Sequence, residues 1–262
     1  GVVHNTTLFK CLFGFDCKML DTLVPTREDI AYALTLDGFI GFLVMIVVVL
    51  WIYMPGYLAN TFAMIWGRIP PKYGYGPWPI DFGKNAWDDK RILGDGKTWN
   101  GLIGGCISSG FLAILMHAMT KGNTKDIPFI DIIAGVSEDA WFWIGNEWTT
   151  SFFVGFMLGF ICLLGDATGS FFKRRKGLIR EGKETSRAPL LDTLPFAIAL
   201  FAFGGLFMGN SIIKWENVDL VYSPHGVPRV ILAGFLLLLS TPFLHRAFNI
   251  FGYKMGWKDV DY

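Results

Sequence analysis

The fold is decided by residues 38–66, which read GFIGFLVMIVVVLWIYMPGYLANTFAMIW and contain no charged side chain. About 20 apolar residues suffice for a helix to cross a bilayer. This run is too long for one perpendicular helix, and Pro55 and Gly56 interrupt it, so we expect the helix to tilt, kink or break there. With four further apolar runs, the sequence predicts an all-α integral membrane protein with five transmembrane helices. The predicted spans are residues 38–66, 99–119, 149–164, 190–213 and 228–248.

The amino-acid composition is that of a membrane protein. Of the 262 residues, 52% are apolar and only 17% are charged, whereas a soluble globular domain has about 25% charged residues. A net charge of +1 leaves no electrostatic footprint for binding a polyanion such as a nucleic acid. Four cysteines are too few for a small disulfide-stabilised scaffold.

Basic residues set the expected orientation, because short cytoplasmic loops retain an excess of Lys and Arg. The connecting segments 67–98 and 165–189 carry six and seven basic residues, and the C-terminal tail carries three, against seven elsewhere. We therefore expect residues 1–36 to form an extracytoplasmic N-terminal segment. Residues 37–262 would form a polytopic membrane domain with two structured cytoplasmic loops and a cytoplasmic C-terminus. A sixth span would reverse the side of one terminus.

The first loop, residues 67–98, is rich in Gly, Pro and aromatic residues. Such a stretch is typical of a shaped, ordered loop, and the alternative is a solvated connector with a positive-inside bias. Its end, Gly96-Lys97-Thr98, is not a P-loop, because that motif requires a Gly where this chain has Arg91. Lys97 and Thr98 precede the second predicted helix, so they would offer an ammonium group, a hydroxyl and free N–H groups to a phosphate. A helix N-cap by Thr98 explains the same pattern.

The borders of the second loop give the sharper signal. Asp166 follows the third predicted span and Asp192 lies three residues into the fourth helix region, so both are expected at the same face of the membrane. A carboxylate in the hydrocarbon region costs about 2.5–3.5 kcal/mol, so Asp192 should face the bundle interior or a polar cavity. With Lys173, Arg174 and Arg175 nearby, the two carboxylates indicate a Mg²⁺ site for a phosphorylated substrate. A helix cap by Asp166 and a salt bridge of Asp192 are the open alternatives.

Three segments carry a family resemblance. They are Pro55-Gly56-Tyr57-Leu58-Ala59-Asn60; Pro79-Ile80-Asp81-Phe82-Gly83-Lys84 with Asp88 to Arg91 and Gly94-Asp95-Gly96-Lys97-Thr98; and Gly165-Asp166 through Ser170-Phe171 to Lys173-Arg174-Arg175-Lys176-Gly177, with Pro189, Asp192 and Phe196. In this order they resemble the CDP-archaeol synthase family, the ether-lipid relatives of membrane phosphatidate cytidylyltransferases. The resemblance implies a magnesium-dependent enzyme of five membrane helices. It would join CTP to the isoprenoid lipid 2,3-di-O-geranylgeranyl-sn-glycerol 1-phosphate, giving CDP-archaeol and pyrophosphate.

The resemblance also implies roles for individual residues. Asp166 and Asp192 match the two metal-holding carboxylates of the wider family. The reaction needs mainly charge neutralisation and in-line positioning, because an anionic lipid phosphate must approach the anionic α-phosphorus of CTP. Lys173 and Arg174 are therefore predicted as catalytic cations. The implied substrate-binding residues are Asn60, Asp81, Lys84, Asp88, Arg91, Gly94, Asp95, Gly96, Lys97, Thr98, Ser170 and Arg175. For Asn60, an interhelical hydrogen bond is the alternative.

Some features lie outside the family pattern. Residues 193–196 read Thr-Leu-Pro-Phe, where relatives are expected to have a glutamine and often a second acid. Residues 120–148 and 1–36 are longer than the family needs, which suggests an added feature on the outer face. His245 beside Arg246 is interpreted as a pair at the membrane interface.

Other functional classes fit the sequence less well. A bacterial-type phosphatidate cytidylyltransferase usually has a His-Gly-Gly stretch before its second acid, and none occurs between Lys176 and Asp192. A CTP-dependent polyprenol kinase would use similar parts but transfer the γ-phosphoryl group. A non-enzymatic transporter is expected to carry ionisable residues at mid-span or broken helices in two related halves, and the sequence shows neither.

Overall fold

Helices make up nearly all the regular structure of the described part of the chain. The computed structural model describes residues 39–123, 129–133, 136–178, 189–204 and 229–256. The helices are α1 (Phe39–Lys72), α2 (Trp99–Thr120), α3 (Glu147–Arg175), α4 (Pro189–Phe203) and α5 (Arg229–Lys254). Within these ranges the β structure is limited to two isolated bridges. The predicted all-α fold class is therefore confirmed for this part of the protein.

Three of the helices are long and apolar enough to cross a membrane. They cover Ile46–Lys72, Trp99–Thr120 and Glu147–Arg175, and a shorter apolar helix covers Thr193–Phe203. These helices confirm an integral membrane protein, whereas the count of five spans stays a prediction. The predicted N-terminal segment, the middle of the second loop and the end of the fourth span lie outside the described residues.

Two helices extend beyond the ends that hydropathy predicted. Helix α1 continues through Pro55 and past Trp66 to Lys72, so the chain does not break at the proline. Helix α3 was expected to end at Leu164, with a loop from residue 165, but it continues to Arg175. That prediction was wrong because polar residues that leave the apolar layer can keep the helical backbone. Most of the candidate residues of the second loop therefore lie on a helix.

The end of α3 is fixed by a glycine cap. Gly177 has a φ of 71°, a left-handed conformation that glycine adopts without steric cost. Its N–H donates to the Arg174 carbonyl at 3.0 Å, and the Leu178 N–H donates to the Lys173 carbonyl at 3.0 Å. This pair of bonds is a Schellman motif, which satisfies the last carbonyls of the helix. The cations of the last turn are favoured next to the negative end of the helix dipole.

The chain divides into two compact units. The first consists of residues 1–54, 111–154 and 204–237, and the second of residues 55–110, 155–203 and 238–262. In the first unit, Trp51 Nε1 donates to the Ile130 carbonyl at 2.8 Å, and His117 Nδ1 lies 2.8 Å from Asp131 Oδ1. All four residues are buried. The described part of segment 120–148 is thus folded against helices of its own unit.

In the second unit, small residues bring α1 and α2 together. A Cβ atom on Gly101 would lie 2.9 Å from the Ala63 carbonyl oxygen, and one on Gly105 would lie 3.2 Å from that of Ala59. Residues four apart share one helix face, so both helices present a pair of small residues at the contact. This is the spacing that allows membrane helices to approach closely. The contact places the start of α2, and the loop before it, beside α1.

Candidate active site

The loop between α1 and α2, residues 73–98, is ordered by its own backbone hydrogen bonds. Ile80 N–H donates to the Lys97 carbonyl at 2.8 Å, and Trp99 N–H donates to the Trp78 carbonyl at 2.9 Å. Isolated bridges join Pro79 to Thr98 and Asn85 to Arg91. The two ends of the loop are therefore paired to each other. These contacts give the backbone of residues 73–98 a defined shape.

Asp81 is the centre of the hydrogen bonds inside loop 73–98. Its carboxylate accepts hydrogen bonds from the N–H groups of Gly83, Leu93 and Gly94 at 2.9–3.1 Å, and from Arg91 Nη2 at 2.8 Å. Burial raises the pKa of the Asp81 carboxyl, but these hydrogen bonds, first that of Arg91, lower it more, so the pKa lies well below its ordinary value. The carboxylate is thus ionised and fully engaged in holding the loop together.

Arg91 extends this cluster to the end of the loop. The same Nη2 atom also donates to Asp95 Oδ1 at 2.8 Å. The hydrogen bonds to Asp81 and then to Asp95 raise the pKa of the Arg91 guanidinium above its ordinary value. Arg91 therefore links the buried Asp81 to the exposed Asp95, which lies two residues before Lys97.

Lys97 connects the loop to α3. Its ammonium forms an ion pair with the Asp166 carboxylate, and both side chains are part-buried. The next residue, Thr98, accepts a hydrogen bond from the Gly101 N–H through Oγ1 at 3.1 Å. Thr98 is therefore the N-cap of α2, as one of the two sequence interpretations predicted. Lys97 stands immediately before the helix that this cap begins.

A cavity of about 700 Å³ lies in the second unit. Its polar lining includes Asn60 of α1, Asp95 and Lys97 of the loop, Asp166 of α3 and His245 of α5, and most of the other lining residues are apolar. Helices α2 and α4 also contribute. The cavity therefore joins a charged end, at the Lys97–Asp166 pair, to an apolar wall. Such a space suits a molecule with an anionic headgroup and hydrocarbon chains.

The structure separates the predicted site residues into two groups. Those that line the cavity are Asn60, Asp95, Gly96, Lys97, Thr98 and Asp166. Those that do not line it are Asp81, Lys84, Asp88, Arg91, Gly94, Ser170, Lys173, Arg174 and Arg175. Asp192 lies on α4, and its side chain is outside the described residues. The Lys97–Asp166 ion pair brings together two segments that are far apart in sequence.

Some details of the lining were not predicted. Asn60 lines the cavity, and its Nδ2 atom also lies 3.8 Å from Cys162 Sγ on α3, so the interhelical contact weighed for it is present as well. His245 was interpreted as part of an interface pair, but it lines the cavity. Arg68 also lines the cavity, although the sequence showed it only as one of the basic residues that set orientation. His245 and Arg68 share one feature in the sequence, which is a basic side chain or histidine close to an apolar span.

Comparisons with known proteins place this chain in a family. The family model described as CarS-like, CDP-archaeol synthase, matches residues 42–262. CDP-archaeol synthases of Methanospirillum hungatei and Methanocorpusculum labreanum are 32% and 34% identical over 209 and 212 residues, which cover 79% of this chain and 98% of each relative. That of Archaeoglobus fulgidus is 30% identical over 220 residues, covering 82% of this chain and 97% of the relative.

A solved chain described as an intramembrane enzyme for archaeal membrane lipids biosynthesis has a TM-score of 0.44 and 24% identity, covering 77% of this chain and 92% of that chain. The identification comes from the sequence relatives and the family model, which agree over most of the chain. The chain belongs to the CDP-archaeol synthase family and is therefore a CTP-dependent nucleotidyltransferase of membrane lipid biosynthesis.

Proposed function

We propose that this enzyme transfers the cytidylyl group of CTP to 2,3-di-O-geranylgeranyl-sn-glycerol 1-phosphate, giving CDP-archaeol and pyrophosphate. The observation that carries the proposal is the cavity whose charged end holds Lys97 and Asp166 and whose remaining wall is mainly apolar. The apolar wall suits isoprenoid chains, and the charged end suits phosphates. The size of the cavity, about 700 Å³, lies within the usual range for sites that enclose a small molecule.

The proposed metal is Mg²⁺, held by Asp166 and Asp192. A Cβ atom on Gly165 would lie only 2.6 Å from Phe196 Cα, so the backbones of α3 and α4 touch beside Asp166. Asp192 lies four residues, about one helical turn, before Phe196. Mg²⁺ is usually held by one or two carboxylates together with substrate phosphates, so two acids next to this contact fit the donor set. When bound, the ion would neutralise charge on the CTP phosphates.

Helix α3 supports this assignment with polar side chains on one face. Asp166, Ser170 and Arg174 are spaced four residues apart, and Lys173 lies three residues after Ser170, so all four share a face of the helix. Ser170 and Lys173 are buried. We assign Lys173 and Arg174 to the lipid phosphate or to the leaving pyrophosphate, because cations bind phosphate through charge-assisted hydrogen bonds. Gly94 of the loop lies beside Arg174, since a Cβ atom there would be 3.8 Å from its Nε.

In the proposed reaction, an oxygen of the lipid phosphate attacks the α-phosphorus of CTP and the bond to the β-phosphate oxygen breaks. The lipid phosphate is already ionised at neutral pH, so no protein nucleophile or strong base is required. The protein residues hold two anions in line and neutralise their charge. Lys97 lies at the charged end of the cavity. There a phosphate of the nucleotide would replace Asp166 as the ion-pair partner of Lys97.

We also propose that loop 73–98 and the C-terminal end of α3 face the cytoplasm, where CTP is available, and that residues 1–36 lie on the opposite side. The support is the excess of basic residues in segments 67–98 and 165–189. The membrane domain would then be residues 37–262, with five spans.

The position of a radioactive label in CTP tests the reaction. Purified enzyme is incubated with the lipid phosphate, Mg²⁺ and CTP labelled at either the α- or the γ-phosphorus, and the products are separated by chloroform extraction. We expect α-label in the lipid product and γ-label in pyrophosphate. Finding γ-label in the lipid together with free CDP would identify a kinase and refute the proposal.

A further inference from the structure

Arg175, at the last turn of α3, binds loop 73–98 through the backbone. Its Nη2 atom donates to the carbonyl oxygens of Lys90 at 3.0 Å and of Arg91 at 2.6 Å. Its Nε atom lies 3.0 Å from Asp88 Oδ2. In return, Lys90 Nζ donates to the Arg175 carbonyl at 2.8 Å. The guanidinium thus contacts Asp88, Lys90 and Arg91 of one turn of the loop.

Two aromatic rings complete the contact. The guanidinium carbon of Arg175 lies 4.7 Å from the ring centroid of Phe171 on its own helix and 5.5 Å from that of Trp87 on the loop. The two rings are themselves 5.8 Å apart. A planar guanidinium combines such ring contacts with directed hydrogen bonds, and a lysine ammonium does not. The position therefore requires arginine for its shape as well as for its charge.

The turn that Arg175 binds is connected to the residues at the cavity. Residues 84–92 form this turn, with hydrogen bonds from Ala86 N–H to the Lys90 carbonyl at 2.9 Å and from Ile92 N–H to the Lys84 carbonyl at 3.2 Å. The side chain of Arg91, within this turn, donates a hydrogen bond to the Asp81 carboxylate. The same carboxylate accepts hydrogen bonds from the N–H groups of residues 93 and 94. Three residues later the chain reaches Lys97 and its ion pair with α3. The contacts form one continuous path from the helix end to the cavity.

We propose that Arg175 is a positioning residue for the nucleotidyl transfer, which fixes turn 84–92 to α3 and thereby holds Lys97 opposite Asp166. It would act through the loop rather than by binding substrate, which was the role that the family resemblance implied. Its Nη2 and Nε atoms already contact loop groups, namely the carbonyls of Lys90 and Arg91 and the carboxylate of Asp88. This inference rests on the proposed function for its effect on catalysis, and on the contacts alone for its effect on the loop.

Hydrogen–deuterium exchange of the ligand-free protein tests the role in the loop. We expect Arg175→Met to speed exchange at the Leu93 and Gly94 amides about tenfold or more, because the loop loses charge-assisted hydrogen bonds. The matched control is Lys176→Met, which removes the same charge from the exposed neighbour and should leave exchange within about twofold of the wild type. Unchanged exchange in Arg175→Met, with loss of CTP binding, would show that Arg175 is a substrate ligand and refute the proposal.

A second variant separates shape from charge and covers a failure of the first to fold. Arg175→Lys keeps the charge but loses the paired donors, so exchange should still be several-fold faster and kcat/KM for CTP about tenfold lower, since small displacements of reacting groups are costly. Wild-type values for both measurements in Arg175→Lys would refute a positioning role. If the wild type itself transfers no cytidylyl group, the proposed function fails, while the exchange results still decide what Arg175 does to the loop.

Discussion

The Asp81 carboxylate should control the order of loop 73–98, and Asp81→Asn measures how much. Asparagine keeps the size of the side chain but removes its charge. Its NH₂ group would also face N–H donors, from which it cannot accept a hydrogen bond. The carboxylate accepts three backbone hydrogen bonds and two from Arg91, and its side chain is 1% exposed. Hydrogen bonds to a charged group contribute about 1.5–3 kcal/mol each. Loss of two of them would cost the loop about 3 kcal/mol or more.

The assay is hydrogen–deuterium exchange at the Gly83, Leu93 and Gly94 amides, which the carboxylate binds. A cost of about 3 kcal/mol corresponds to roughly 100-fold faster exchange, since 1.4 kcal/mol is a factor of ten. The control is Asp95→Asn, because Asp95 accepts a hydrogen bond from the same Arg91 atom but is 69% exposed. An exposed pair is worth about 1 kcal/mol at most, so exchange should change by less than about fivefold. Equal effects of the two variants would contradict the assignment of Asp81 as the centre of the loop.

The same carboxylate predicts a pH dependence. The pKa of Asp81 is lowered in the folded protein, so its contribution to stability is fully present above the unfolded value of about 3.9 and is lost only as the pH falls through the lower folded value. Corrected for the intrinsic exchange rate, protection of the Gly94 amide should therefore be constant between about pH 5 and 8. A loss of protection within that interval would show that another group titrates in the cluster.

Three further predictions concern the site and the topology. Asp166→Asn and Asp192→Asn should each abolish Mg²⁺-dependent turnover, and the double variant should lose little more activity than either single variant. Independent, multiplicative losses of activity would argue against a shared metal. Lys97→Met should raise the affinity of the nucleotide-free protein for Mn²⁺ about tenfold, measured by electron paramagnetic resonance, and should weaken CTP binding. An unchanged Mn²⁺ affinity would contradict the idea that Lys97 competes with the metal for Asp166. In intact cells, a membrane-impermeant thiol reagent should label a cysteine placed at Thr124 and not one placed at Lys183; labelling of both would reverse the proposed orientation.

Hydropathy predicted the helices but not all of their ends. A bilayer imposes a minimum length of apolar sequence on a spanning helix, so the second span, predicted as 99–119, agrees with α2 at Trp99–Thr120. The same signal ends where the apolar layer ends, and α3 does not end there. Its cations and Gly177 were visible in the sequence as a helix C-terminus, but the apolar run stops at Leu164, just before Gly165 and Gly169. Packing against α4, which needs a glycine at 165, gives the physical reason for one of them.

The sequence predicted the residue types of the site better than their roles. Charged residues that the sequence assigned to substrate binding pair with one another in the structure. Arg91 binds Asp81 within the loop, and Arg175 of α3 binds Asp88 of the loop. A local signal existed for Asp81, whose carboxylate accepts the N–H of Gly83 two residues on, as in an Asx turn. The partners 10 to 85 residues away leave no such mark in a single sequence. Residue type therefore identified the charged loop, and tertiary pairing determined which charges face the cavity.

The charge pairs of the site indicate how its ligands should bind. A charge taken out of water is costly unless it keeps a partner, and at the cavity Lys97 and Asp166 are each other's partner. A phosphate alone would bind Lys97 but bring a second anion beside the Asp166 carboxylate, and a cation alone would bring a second positive charge beside Lys97. A nucleotide that arrives with its divalent cation supplies an anion for Lys97 and a cation for Asp166 together. The binding of metal and of CTP should therefore be strongly coupled, and removing the Lys97 ammonium should weaken that coupling.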